Sequence, residues 1–364
     1  MVTQAKGRYA HIDAMRALAV MLVVVSHAGL QDRVPGGSGV TIFFSISGFI
    51  ITYLLLKEKS RTGAFNIGAF YTRRALKILP PLFVVVIMPT IILSFFKTIN
   101  WSPVGGIIFF YYNWLKIRDV NPPLPGSVVV WSLSIEEQFY LLFAALWAVV
   151  VVMQIGIRWV IIGVIAAALT STLIRIVIAS TASFSVEHQD RIYYGSDTRV
   201  DAIAFGVLTA IAFHYAVNQP NQETWITRMI QKDSSLVLAL VLFLASLILR
   251  NEWFRYTFRF SFQSLAACIV ILYGFGTRKT IVRSAFNSVV ALRPIQIIGL
   301  ASYSIYLIHL IVIIPMGQLV DNFGLPVRVL LLTIGGTLPG IAVYLAIERP
   351  IQLWRKQGKS ENIH

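Results

Sequence analysis

Apolar residues run in long blocks along this chain, and short stretches rich in charge, glycine and proline separate them. Ten blocks come close to the roughly 20 residues a helix needs to cross a bilayer. They lie at 12–30, 38–56, 79–96, 131–152, 158–179, 200–217, 235–250, 260–276, 295–317 and 327–347. The runs at 235–250 and 260–276 are the shortest. This pattern predicts an all-α, polytopic membrane protein with about ten transmembrane helices.

Composition supports the same class. Of 364 residues, 57% are hydrophobic and 13% charged, with a mean hydropathy of +0.73. An ordinary soluble domain carries about 25% charge, and a single soluble core stops growing near this length. A soluble enzyme, a disordered chain and a secreted disulfide scaffold are thereby excluded. The one cysteine, Cys268, lies in an apolar run and is expected to pack as a small hydrophobe.

The net charge of +15 sets orientation rather than pointing to nucleic acid. With the N-terminus inside, 19 Lys and Arg fall on the inner side and 10 on the outer, while Arg16 and Arg175 lie within spans. The segment 57–77 alone carries six inner positive charges. Both termini are therefore expected in the cytoplasm. The first run contains His27, lacks a small-x-small site and is followed at once by a second span, so it is expected to be retained rather than cleaved. No internal repeat or low-complexity tract interrupts the pattern. The expected organisation is one membrane-embedded unit over 1–350 and a short basic cytoplasmic tail over 351–364, with no C-terminal soluble hydrolase-like domain.

Polar residues inside spans are costly, and each is a candidate for function. Arg16 and His27 are eleven apart, which returns a helix to within about 20° after a rise of about 16 Å. They share one face, either as two snorkelling ends or as a frame for a long anionic-headed ligand. Near the inner boundary, FYTRRALKILPP carries Arg73, Arg74 and Lys77, with Arg74 and Lys77 on one face. The group suits phosphate or lipid headgroups, or simply flanks a span. At the outer start of the fourth span, WSLSIEEQFY carries Trp131, Ser132, Ser134 and Glu136. Glu136 shares a face with Ser132, and Glu137 points elsewhere; of the two, Glu136 is expected to be paired or chemically engaged. GSDTRVDAIAFG sets Asp197 and Asp201 on one face with Arg199 between them, as a functional pair or as first-turn acids. In ASYSIYLIHL, Ser302, Tyr306 and His309 form a polar stripe, functional or interhelical glue. Arg175 is expected to pair with a carboxylate such as Glu136. The outer loop at 97–130 holds Phe109, Phe110, Tyr111, Tyr112 and Trp114, an interfacial belt or a sugar-stacking surface.

The chain has no Walker loop, no GxGxxG and no His/Cys cluster at metal spacing. Its six histidines stand at 11, 27, 188, 214, 309 and 364. Chemistry without a metal or nucleotide hydrolysis is expected.

In order, DAMRALAVMLVVVSH, GVTIFFSISGF, FYTRRALKILPP, WSLSIEEQFY, DTRVDAIAFG, SYSIYLIH and IERP resemble the acyltransferase-3 family of bacterial membrane O-acyltransferases. The likeness covers almost the whole chain. It implies an acetyl-CoA-dependent O-acyltransferase of the bacterial inner membrane. The acyl group, acetyl by default, would pass from cytoplasmic acyl-CoA to a hydroxyl of a cell-surface saccharide or lipid-linked saccharide, such as lipopolysaccharide O-antigen or exopolysaccharide. The resemblance makes His27 the catalytic base and Arg16 a coenzyme-A contact. It sets the family's Arg-x-x-Arg on Arg74 and Lys77, where lysine keeps charge but loses the bidentate fork, with Arg73 as a neighbour able to compensate. Thr41 stands where the family often has an acid. Glu136 matches the glutamate of the WSL-x-x-E pattern, while Asp201 and His309 match recurring polar positions. Members often carry a further soluble domain, so this chain would act alone or with a separate extracytoplasmic partner. Partners expected otherwise are membrane lipids, and no nucleic acid. The alternative is a transporter of a lipid-linked sugar or small metabolite, which would more often show symmetric halves with broken helices.

Overall fold

The computed structural model describes residues 9–181, 184–218 and 223–361. Lys6 and Arg8, counted above among the inner charges, and His364 lie outside them. Among the described residues the chain is helical, with no strand. Ten helices correspond to the ten apolar runs. They are α1 (Ala10–Leu30), α2 (Gly36–Thr62), α3 (Ile67–Ser94), α4 (Ser127–Val152), α5 (Ile157–Ala179), α6 (Ser196–Asn218), α7 (Ser234–Ile248), α8 (Arg259–Tyr273), α9 (Arg293–Leu319) and α10 (Leu325–Arg355).

Eight of the ten are long and apolar enough to cross a membrane, α6 being counted with the helix Val186–Tyr194 that leads into it. The other two, α7 and α8, have 15 residues each. At 1.5 Å per residue that is about 22 Å, short of the roughly 30 Å hydrocarbon core. The short helix Trp225–Gln231 meets α7 at a 90° bend, and the pair together would make a ninth span. The expected ten crossings therefore become eight full-length helices plus two short ones packed together.

Local sequence explains the breaks. Gly63 ends α2 with a left-handed φ of 69°, a conformation that costs glycine little. The Asn66 side chain then caps α3 by accepting from the Ala69 amide at 2.8 Å. Pro80 and Pro81 sit inside α3 and remove two donors, and a π turn over Phe83–Ile87 follows them. Pro339 in α10 likewise precedes a π turn over Tyr344–Glu348. A third π turn, Ser26–Leu30, ends α1 and carries His27.

Burial ranks the helices. In its most apolar stretch α2 is 72% buried, whereas α5 is 17% buried and turns Leu169, Leu173 and Val177 outward. Close approach at the centre depends on small residues, as in other membrane bundles. A Cβ on Gly48 would lie 2.1 Å from the Ile203 carbonyl oxygen, and one on Gly206 would lie 2.1 Å from that of Ser45. These two glycines let α2 and α6 touch backbone to backbone.

One buried ion pair fastens the outer helices to this centre. Arg175 of α5 grips Asp201 of α6 through both guanidinium nitrogens at 2.8 Å, and neither residue is solvent-exposed. Ser261 of α8 donates to Asp201 and accepts from Arg175, and Arg175 Nε donates to the Thr257 carbonyl at 2.8 Å. The expected partner Glu136 is thus replaced by Asp201, because α5 packs against α6 and α8. Asp197 and Asp201 also part company: Asp197 takes a fork from Arg191 at 2.8 and 2.5 Å. Arg199 between them is buried, donates to Thr41 at 3.0 Å and lies 3.9 Å from the Phe260 ring centre.

Gly48→Val is expected to lower the thermal midpoint of the detergent-solubilised protein, a loss of about 1–3 kcal/mol. Gly163→Val, where nothing lies within 4 Å, should leave it unchanged. Equal losses in the two variants would contradict the α2–α6 contact.

Candidate active site

A cavity runs from Tyr9 and Asp13, at the start of α1, to Ser132 and Tyr306 in the middle of the bundle. Its empty volume is about 1120 Å³ including its open side, enough for a small-molecule site. The walls are mostly apolar, with Val40, Phe43, Ile46, Ile50 and Ile51 coming from α2 alone. Against them stand Asp13, Arg16, Arg74, Lys77 and Glu136.

The polar face of α1 and the polar stripe of α9 meet each other. Arg16 Nε donates to Ser302 Oγ at 3.1 Å, and His27 Nδ1 lies 2.9 Å from His309 Nε2. The order of these contacts along both helices shows that α1 and α9 run in the same direction. Tyr306, between the two, lines the far end of the cavity. Its hydroxyl accepts from Ser132 at 2.8 Å and donates to the Val129 carbonyl at 3.2 Å.

The hydrogen bonds assign the histidine protons. His309 Nδ1 lies 2.7 Å from the Tyr306 carbonyl oxygen, which only accepts. In a neutral His309 ring the proton is therefore on Nδ1, and Nε2 is the acceptor. His27 must then donate from its own Nδ1, which leaves the lone pair on His27 Nε2. His309 is fully buried, and His27 is the exposed member of the pair. An imidazole held in this tautomer by a second group is placed to take a proton.

The neighbouring glutamates have separate partners. Glu136 lines the cavity and accepts from Ser47 at 2.9 Å and Tyr140 at 3.0 Å. Glu137 pairs with Arg74 at 3.0 Å, and the Arg74 guanidinium also lies 3.5 Å from the Tyr140 ring centre. Arg74 thus lines the cavity with its charge already matched. Lys77, one turn on, has no hydrogen-bond or ion-pair partner among the described residues. Arg73 turns away to Glu58 at 3.5 Å.

Several other side chains have structural settings. Trp131 packs edge-on to Tyr194 at 4.9 Å and against Tyr193 at 5.0 Å, which makes it part of an internal aromatic cluster. Ser134 is fully buried. Asp197, Arg199 and Asp201 lie outside the cavity lining. In the outer loop, Phe109 is exposed and Tyr112 is buried. Gly126, at φ 83°, brings that loop against α9: a Cβ there would lie 2.4 Å from the Ile311 nitrogen. No group of three or more His, Cys, Asp or Glu that would hold a metal occurs among the described residues.

The structure adds residues that spacing did not single out. Ser47 and Tyr140 hold Glu136; only the position of Tyr140, one turn from Glu136, signals it in sequence. Tyr303 lines the cavity and donates to the Ile78 carbonyl at 3.0 Å. Glu348, the acid of IERP, is buried in the α10 π turn and accepts from Ser304.

Removing Glu137 would leave the partly buried Arg74 charge without its ion-pair partner. Glu137→Ala is expected to cost about 3 kcal/mol in unfolding assays. Glu136→Ala, which removes a hydrogen-bonded acceptor at the cavity wall, should cost less. A larger loss for Glu136→Ala would contradict this division.

Comparison with known proteins agrees with the resemblance. A family model described as an acyltransferase domain matches residues 9–349. The relative named "Putative O-acetyltransferase SACOL0978" from Staphylococcus aureus (strain COL) is 29% identical over 367 aligned positions, which take in 95% of this chain and 57% of the relative. The O-acetyltransferase OatA of Staphylococcus aureus (strain NCTC 8325 / PS 47) is 27% identical over 368 positions, with the same shares. The chain thus spans a little over half the length of these curated relatives. No solved structure matches it. The chain is a multi-pass membrane protein and belongs to the acyltransferase-3 family.

Proposed function

We propose that this protein moves an acetyl group from acetyl-CoA, taken from the cytoplasmic side of a bacterial inner membrane, to a hydroxyl of a cell-surface saccharide. The carrying observation is the His27–His309 pair one turn beyond a cavity that starts at the N-terminal end of α1. Both termini lie in the cytoplasm in this reading. Coenzyme A is long, thin and anionic at its head. Lys77 and Arg16 supply the charge that favours such a head or its phosphates, and the apolar walls from α2 suit its arm. Arg74, matched by Glu137, shapes the wall rather than adding net charge. The arm reaches His27 past Tyr306 and Ser132, the two hydroxyls at the cavity end.

In the transfer step, His27 Nε2 takes the proton of the acceptor hydroxyl. The oxygen attacks the thioester carbonyl carbon, the C–S bond breaks, and the departing sulfur takes the proton back from His27. The ester and free coenzyme A result, with no net proton consumed. His309 acts through His27: its Nε2 accepts the hydrogen bond from His27 Nδ1–H, which keeps that proton on Nδ1 and the lone pair on Nε2. Glu136 stands at the cavity wall, where it orients bound donor or acceptor. The family match supports acyl transfer over the transporter alternative.

The test is transfer from labelled acetyl-CoA in inside-out membrane vesicles. His27→Ala is expected to lower it by about 10²–10⁴-fold, with unchanged protein level and acyl-CoA binding. His309→Ala should lower kcat far more than it changes KM, and His309→Gln, whose amide oxygen accepts from His27, should restore part of the rate. Full activity in His27→Ala would overturn the base assignment.

A further inference from the structure

A second cavity lies apart from the first, lined by the turn Gln31–Pro35 that follows α1, the end of α7, and the residues leading into α8. Four arginines line it: Arg33, Arg250, Arg255 and Arg259. In the orientation proposed above, these are four of the ten basic residues on the outer side. Positive charge there opposes the bias that sets topology. Three of the other six outer cations are neutralised: Lys116 pairs with Asp119, Arg191 with Asp197 and Arg328 with Asp321. None of the four has a hydrogen-bond or ion-pair partner among the described residues. Asp32 also lines the cavity and is within ion-pair distance of none of them, so the cavity keeps a net positive charge.

Its place in the chain ties it to the histidine pair. The π turn Ser26–Leu30 carries His27, and Gln31 continues directly from it. Arg33 follows His27 by six residues, which span at most roughly 20 Å. A short oligosaccharide bridges that length.

We propose that these arginines bind an anionic group, a carboxylate or phosphate, carried by the acceptor saccharide while its hydroxyl lies at His27. Guanidinium forks fit both oxyanions. This deepens the acyl-transfer reading and rests on it for the acceptor's identity. The cavity selects acidic acceptors over neutral ones, and the unneutralised charge draws them to the outer mouth.

The test measures binding of fluorescent oligogalacturonate and of its carboxyl-reduced, neutral counterpart to the full chain in phosphatidylcholine nanodiscs. The acidic form is expected to bind at least tenfold more tightly. The double variant Arg250→Gln, Arg255→Gln should lose that preference, and Arg328→Gln should keep it. Equal binding of the two forms, or an acidic preference that survives the double variant, would overturn the proposal. So would loss of the preference when phosphatidylglycerol is added to the nanodiscs, which would assign the arginines to lipid headgroups. His27→Ala separates the two levels, because it should leave this binding intact. Retained binding together with wild-type protein that transfers no acetyl would sink the acyl-transfer reading and leave the anion site standing.

Discussion

The contact between α1 and α9 is the constraint on which the site depends. Arg16 meets Ser302 and His27 meets His309, so polar groups that lipid would not tolerate satisfy one another inside the bundle. Because the helices run in the same direction, one polar edge serves the length of the cavity and the point beyond it. The His309–Tyr306 carbonyl contact then fixes which nitrogen of His27 carries its proton. Tyr306 belongs to both halves of this arrangement: its side chain lines the cavity end and its carbonyl orients the histidines.

Two of the π turns place polar side chains against α9. The α1 π turn places His27, and the α10 π turn places Glu348 against Ser304. Regular helices make the supporting contacts, with Gly48 and Gly206 drawing α2 and α6 together and Arg175 holding α5, α6 and α8 around Asp201. The division is physical: a π turn re-aims a side chain at the expense of helical regularity, whereas close-packed helices keep their neighbours from shifting.

Much of this architecture was legible in the pattern of apolar runs, since each run becomes a helix. The count of crossings was not, because 15 residues in α7 and α8 fall short of the bilayer core. Spacing correctly grouped Ser302, Tyr306 and His309, and separately Arg16 and His27. It had no means of joining the two sets, whose contact spans 282 positions. Arg175 shows the same limit: sequence indicates that a buried arginine needs a counter-charge, and only packing selects Asp201 over Glu136. Thr41 is instructive in another way. It stands where the resemblance implies an acid, and in the fold it accepts from the buried Arg199, a pairing with no local signature.

The most direct measurement of the central claim is a cryo-electron microscopy structure with a non-hydrolysable thioether analogue of acetyl-CoA. Density is predicted to run from the cavity at Lys77 and Arg16, past Tyr306, with the acyl carbonyl next to His27. Analogue bound elsewhere, or ending short of Tyr306 with His27 turned away from His309, would contradict it.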